Sequence, residues 1–157
     1  MRNLACAMAN SHNAKKWNNT FITKEELFKK LQTTSYTSET VAEYQSLSKV
    51  SRDDAKDVGG FVGGLLKDGL RRKANVVYRS MLALDCDNPE PDFLEKFTST
   101  FDYCALLYST HSHTTDKPRF RIIIPLSKDV NADAFNAISR YLCEKLGMAD
   151  CKIKLNT

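Results

Sequence analysis

Residues 74–87, ANVVYRSMLALDCD, are the most strongly patterned segment of the sequence. Its aliphatic, aromatic and β-branched residues suit a pleated, buried surface, so it predicts the strongest strand of the chain. Because side chains alternate along a strand, Asp85 and Asp87 are expected to point to the same face. On this reasoning Leu82, Leu84 and Cys86 point to the core, while the acidic face also carries Arg79, Met81 and Ala83.

The two carboxylates at the end of this strand require an explanation. Roughly 7 Å separates such positions along a strand, and like charges at this distance repel each other unless a cation neutralises them. Mg²⁺ commonly takes one or two protein carboxylates together with substrate phosphates, which is the arrangement of two-metal phosphoryl transfer. The alternative is that the strand simply ends in a solvated acidic loop, DNPEPD, residues 87–92.

The remaining pattern predicts one α+β domain over residues 1–157, with a mostly antiparallel sheet and helices packed on a face. Residues 1–50 are predicted as an N-terminal helical part, and residues 51–157 as the sheet core. Glycines 59, 60, 63 and 64 predict tight turns or a close backbone approach to a ligand. Further strands are predicted at 4–9, 103–109, 119–127 and 150–157, and helices at 23–31, 38–47, from Ser51, at 91–100, and from Asn131 or Asp133 to Lys145 with Gly147 as cap.

Composition and charge restrict the setting. No apolar run approaches the roughly 20 residues of a membrane span, and the N-terminus has no signal-peptide core. The five cysteines form no C-x-x-C pair, which favours a reducing cytoplasm over a disulfide framework or zinc ribbon. The net charge is +4, and the basic residues are unevenly distributed. Two basic clusters favour a polyanionic ligand: Lys67 with Arg71, Arg72 and Lys73, and Lys117 with Arg119 and Arg121.

A second polar stretch, YSTHSHTTDKPRFRIIIPLS, spans residues 108–127. In an extended chain Ser109, His111 and His113 share a face, and Arg119 and Arg121 share a face of the next strand. A hairpin would bring the histidines and arginines to one end of the sheet, where they could bind a triphosphate.

LALDCD, the 108–127 stretch and an acidic residue after the next helix together resemble the archaeo-eukaryotic primase superfamily. The closer resemblance is to primase-polymerase domains of phages, prophages and plasmids, over roughly residues 24–150. It implies an RRM-like core in which Asp85 and Asp87 bind Mg²⁺ or Mn²⁺, with Asp150 as a further metal ligand. Members usually continue into more sheet and often a helicase domain, so the core is expected to be truncated at the C-terminus.

The resemblance also implies roles for the second stretch. The motif Ser109–His111, with His113 as rival, would contact the phosphates of the incoming nucleotide, and Arg119 and Arg121 would reinforce that grip. Template or phosphate contacts are expected from Arg79, Lys56, Arg71, Arg72 and Lys73. The expected function is template-dependent nucleotidyl transfer in the cytoplasm of a bacterial host, with a single-stranded DNA template, (d)NTPs and a replicative helicase as partners and no membrane.

Two other readings stay open at this point. HSH, residues 111–113, is similar to the paired-histidine metal motif of rolling-circle nucleases, with Tyr141 as nucleophile. The other reading keeps the fold without turnover, as a catalytically incomplete module that binds nucleotide or DNA.

Overall fold

A computed structural model describes residues 2–148, which form an α+β domain. Over those residues seven strands and five α-helices follow one another in a mixed order. The strands are β1 Leu4–Ala9, β2 Asn18–Ile22, β3 Gly60–Val62, β4 Gly64–Leu66, β5 Val76–Asp87, β6 Leu106–Ser109 and β7 Arg119–Val130. The helices are α1 Lys24–Gln32, α2 Val41–Ser46, α3 Lys49–Ala55, α4 Phe93–Thr100 and α5 Ala132–Lys145.

The strands form two antiparallel sheets, whereas one was predicted. The order is β4-β5-β7-β6 in the larger sheet and β2-β1-β3 in the smaller one. Gly63 separates β3 from β4, so one short segment pairs with β1 and then with β5. The glycines here allow a close approach to β5, since a Cβ on Gly64 would lie 2.1 Å from the carbonyl oxygen of Tyr78.

Both faces of the larger sheet are covered, which explains the apolar character of β5. Leu82, Leu84 and Cys86 pack against α4 and α5 in one core cluster. Met81 packs on the opposite side with residues of β1 and α1 in a second cluster, together with Ile123 of β7. The acidic face predicted for β5 is therefore the face that the N-terminal elements cover.

Local sequence signals account for the helix ends. Thr23 and Thr40 begin α1 and α2 with capping boxes that include Glu26 and Glu43. The prediction for α1 is confirmed, whereas α2 begins three residues later than expected. In α5 the cap is Asn131, and Gly147 follows the helix with φ +62°, as predicted for a left-handed C-terminal cap.

Several boundaries differ from the prediction. Ser48 caps α3, not Ser51, because Ser48 Oγ accepts the backbone N–H of Ser51. The first helical residue of α4 is Phe93, and β6 is half-buried and shorter than 103–109. Residues 1–50, predicted as helical, also hold β1 and β2, and the strand predicted at 150–157 lies outside the described residues.

No helix within residues 2–148 is long and apolar enough to cross a bilayer.

Candidate functional site

Asp85 and Asp87 lie directly opposite two arginines of the neighbouring strand. The antiparallel register pairs Asp85 with Arg121 and Asp87 with Arg119. The distance from Arg121 Nε to Asp85 Oδ1 is 2.5 Å, and that from the nearest Arg119 nitrogen to Asp87 Oδ2 is 3.8 Å. We call these four side chains the carboxylate–arginine ladder. Its arginines neutralise the like charges that the sequence placed side by side.

The two rungs of the ladder differ in burial. Asp85 is 7% exposed, whereas the side chains of Asp87 and Arg119 are each more than one-third exposed. Burial by itself would lower the pKa of Arg121, but the hydrogen bond and charge of Asp85 outweigh it and raise that pKa. Tyr108 of β6 pairs with Arg121 on its other side, and burial raises the pKa of the Tyr108 hydroxyl. The inner rung is therefore fixed, and the outer rung is open to solvent.

Arg79 does not lie on the ladder face, so its predicted place beside Asp85 is wrong. A shift of register between Arg79 and Met81 breaks the alternation of β5 at this point. The guanidinium of Arg79 instead lies 5.0 Å from the ring centroid of Phe135 in α5, on the opposite face. It is 5% exposed, and burial lowers its pKa.

The two histidines diverge, so the prediction that Ser109, His111 and His113 share a face is also wrong. The chain turns after β6, where the His113 N–H donates to the Thr110 carbonyl. His113 Nδ1 accepts the Arg119 N–H at 3.1 Å, and its ring packs on Phe120. Ser109 pairs with Phe120 and is therefore on the face opposite Arg121.

His111 turns toward the segment that leads into α2. Its Nε2 lies 3.1 Å from Thr37 Oγ1 and 3.9 Å from Glu39 Oε1, and its ring packs on Tyr44. Tyr44 in turn hydrogen-bonds Ser112 at 3.1 Å. These contacts hold the 110–117 loop against the N-terminal part of the chain.

An open cleft of about 600 Å³ lies between these two segments. Arg119 lines it and so connects it to the outer rung of the ladder. His111 and His113 line it as well, together with two further cations, Arg52 and Lys117. The three cations of the cleft outnumber its two carboxylates, Glu39 and Asp116, so this basic cleft suits an anionic ligand such as a phosphate chain.

Sequence reasoning missed Glu39 and Arg52 as cleft residues. Glu39 Oε1 is buried and has no hydrogen-bond partner among the described residues. The capping box at Thr40 could have marked the start of α2 and drawn attention to the residue before it. No local signal could have shown that this segment meets the 110–117 loop.

The ladder fits a divalent cation in part. Arg121 bonds Oδ1 of Asp85, so Oδ2 is the oxygen through which this carboxylate would bind a metal, while Asp87 holds its arginine more loosely. Two carboxylates meet the usual protein share of a Mg²⁺ site in a nucleotide complex. Within residues 2–148 no group of three or more potential metal ligands occurs, and Asp150, the predicted third ligand, lies outside that range.

The remaining predicted residues fall in different places. Lys56, the residue that caps the C-terminal end of α3, pairs with Asp53 of that helix at 2.5 Å. Arg72 and Lys73 are exposed, and Arg71 stacks on Trp17. Tyr141 is exposed on α5 beside Lys145, and neither histidine contacts it. The histidines and the tyrosine of the nuclease reading are thus not brought together.

Fold and site define an α+β protein with an acidic strand end, neutralised by arginines, beside a basic cleft. The matching family model is that of the VapE N-terminal domain, over residues 1–152. The chain belongs to this family, a domain of phage- and plasmid-associated VapE-like replication proteins. Comparison with curated proteins and with solved structures gave no match.

Proposed function

We propose that this domain carries out template-dependent nucleotidyl transfer with Mg²⁺ or Mn²⁺, as the primase-polymerase part of a phage or plasmid replication protein. The observation that carries the proposal is the carboxylate–arginine ladder, whose outer rung opens into the basic cleft. The substrates are (d)NTPs and a single-stranded DNA template in the bacterial host cytoplasm. A replicative helicase, as a domain or a separate protein, is the expected partner.

The topology supports an RRM-like primase core. The run β5, α4, β6, β7, α5 is a β-α-β-β-α unit in which β7 lies between β5 and β6. Since β7 is antiparallel to both neighbours, β5 and β6 run parallel to each other. The acidic pair is at the end of β5, and the 110–117 loop joins β6 to β7, so the two lie at the same end of the sheet.

In the proposed reaction a 3′-hydroxyl attacks the α-phosphorus of a nucleoside triphosphate. A new P–O bond forms, the hydroxyl proton passes to solvent water, and pyrophosphate leaves with the electron pair of the broken bond. Asp85 and Asp87 would hold the divalent cation, which supplies charge neutralisation at the reacting phosphate when bound. Arg119, Lys117 and His111 would bind the phosphate chain from the cleft.

A second candidate function is supported by the inner rung. Asp85 is buried and bonded to Arg121, and the described residues supply two acidic ligands where the resemblance to the primase superfamily implies three. This arrangement also suits a module that binds nucleotide or DNA without turnover.

The test is incorporation of labelled nucleotide on a primed single-stranded template with Mn²⁺. We expect the wild-type chain to extend the primer and Asp87→Asn to reduce the rate by at least about a hundredfold, as losses of transition-state charge stabilisation commonly do. Asp102→Asn, at an exposed carboxylate with no ion pair among the described residues, is the matched control and is expected to be fully active.

Nucleotide binding separates the two candidates. A wild-type chain that binds labelled nucleotide with Mn²⁺ yet never extends a primer would support the binding module. Equal extension by wild type and Asp87→Asn would refute the assignment of the ladder as the metal site.

A further inference from the structure

Two segments that are distant in sequence, residues 11–19 and residues 66–73, lie side by side in the structure. The backbone N–H of Trp17 donates to the backbone carbonyl of Gly69 at 2.8 Å. The side chain of Asn19 bonds both backbone groups of Leu66, at 2.8 and 3.0 Å. These bonds join residues 11–19 to residues 66–73 at fixed positions.

These two segments carry six cations, which we call the basic rim: Lys15, Lys16, Lys67, Arg71, Arg72 and Lys73. Arg71 is half-buried, and the other five are exposed. None of the six forms an ion pair within residues 2–148. Asp68 is the one acidic residue in the two segments.

Arg71 is the most constrained member of the basic rim. Its guanidinium lies 4.8 Å from the ring centroid of Trp17, which is 3% exposed. One terminal nitrogen donates to the His12 carbonyl at 3.3 Å, and the buried Nε has no hydrogen-bond partner among the described residues. No carboxylate of the described chain compensates this guanidinium, so it is an incompletely satisfied cation held in a fixed position.

The burial of Arg71 also has an electrostatic cost. Burial lowers the pKa of Arg71, and the positive charge of Arg121 lowers it further. A bound anion beside the guanidinium would offset both effects.

We propose that the basic rim binds the phosphodiester backbone of single-stranded nucleic acid, with Arg71 as its most constrained phosphate-binding residue. The inference that the basic rim guides the template rests on the proposed function. Binding of single-stranded nucleic acid by the rim does not depend on it. Because Trp17 is buried and the exposed donors are charged, contacts go to phosphates and carry no sequence preference.

The experiment measures binding of fluorescein-labelled (dT)20 to the full chain between 50 and 200 mM NaCl, without metal. Each phosphate contact contributes about 0.7 to the slope of log K against log salt concentration for a single strand. Lys15→Ser with Lys16→Ser is expected to flatten that slope by about 1.4 and to weaken binding at 50 mM NaCl. Arg71→Gln is expected to weaken binding at least about fivefold, roughly 1 kcal/mol.

The matched control is Arg140→Ser with Lys145→Ser. It removes two exposed charges from α5, the helix that packs on Leu82, Leu84 and Cys86 of the larger sheet. This variant is expected to bind (dT)20 as wild type does. Thermal unfolding of each variant checks the fold. Rim variants that bind (dT)20 like the control would overturn the proposal, and so would equally tight binding of polyglutamate with a matched length.

Nucleotide binding with Mn²⁺ is measured on the same variants. Loss of (dT)20 binding with intact nucleotide binding supports the basic rim even if no primer is extended. Normal primer extension by both rim variants, with unchanged (dT)20 affinity, would overturn the rim and leave the proposed reaction standing.

Discussion

At the scale of single residues, the two aspartates of the ladder have different tasks. Asp85 is buried and bonded to Arg121, so loss of the arginine would leave a buried carboxylate without its charge partner. Asp87 is more exposed, and its arginine lies at 3.8 Å. A change at Asp85 is therefore expected to affect folding together with the proposed metal binding, whereas a change at Asp87 tests the proposed metal binding with little effect on folding.

This difference predicts unequal costs for the two arginines. Arg121→Gln leaves a buried carboxylate without its charge partner and is expected to lower the free energy of unfolding by about 2–3 kcal/mol. Arg119→Gln removes a loose, exposed pair and is expected to cost less than about 1 kcal/mol. Urea unfolding monitored by circular dichroism gives both values, and equal costs would contradict the proposed division of the rungs.

The histidines illustrate how one backbone turn changes a residue-level prediction. The alternation rule was applied past Ser109, but β6 ends there and the next residues form a turn. His111 consequently faces α2 and His113 faces Phe120. Nothing in residues 108–113 alone distinguishes a turn after Ser109 from a continued extended strand.

At the scale of elements, the sequence predicted the long and strongly patterned segments. β5 and β7 are runs of aliphatic residues, and α1 and α5 have capping residues and periodic apolar positions. β2 was missed because NNTFI is polar and mostly exposed, and its strand character comes from pairing with β1. The shift of register that turns Arg79 away from Asp85 depends on β7, so β5 alone does not show it.

The short strands β3 and β4 escaped prediction because each has three residues and is flanked by glycine. Their glycines give the next prediction. Gly64→Ala would place its Cβ 2.1 Å from the Tyr78 carbonyl oxygen, and we expect a loss of about 2–3 kcal/mol in the free energy of unfolding.

Gly60→Ala is the matched control for that change. Its Cβ would lie 3.5 Å from the Trp17 ring, an ordinary van der Waals contact in the same segment. We expect a change within about 0.5 kcal/mol. If urea unfolding gave the same loss for both variants, the close approach of β4 to β5 would not be the cause.

At the scale of the whole molecule, the N-terminal elements complete the site. Residues 37–45 supply one wall of the cleft, and residues 11–19 supply part of the basic rim. The predicted division into a helical part and a sheet core does not show this, because both segments act through contacts with distant residues. The acidic pair and the arginines of the site were predictable from local pattern, whereas the assembly of cleft and rim was not.

We propose that the ladder binds a divalent cation with a nucleotide and is more than a set of structural ion pairs. Its most direct test is Mn²⁺ binding followed by electron paramagnetic resonance in the presence of dATP, with wild type, Asp87→Asn and the control Asp102→Asn. We predict that wild type and the control bind Mn²⁺–dATP alike and that Asp87→Asn weakens binding at least about tenfold, roughly 1.4 kcal/mol. Equal Mn²⁺ affinity in all three proteins would contradict the claim.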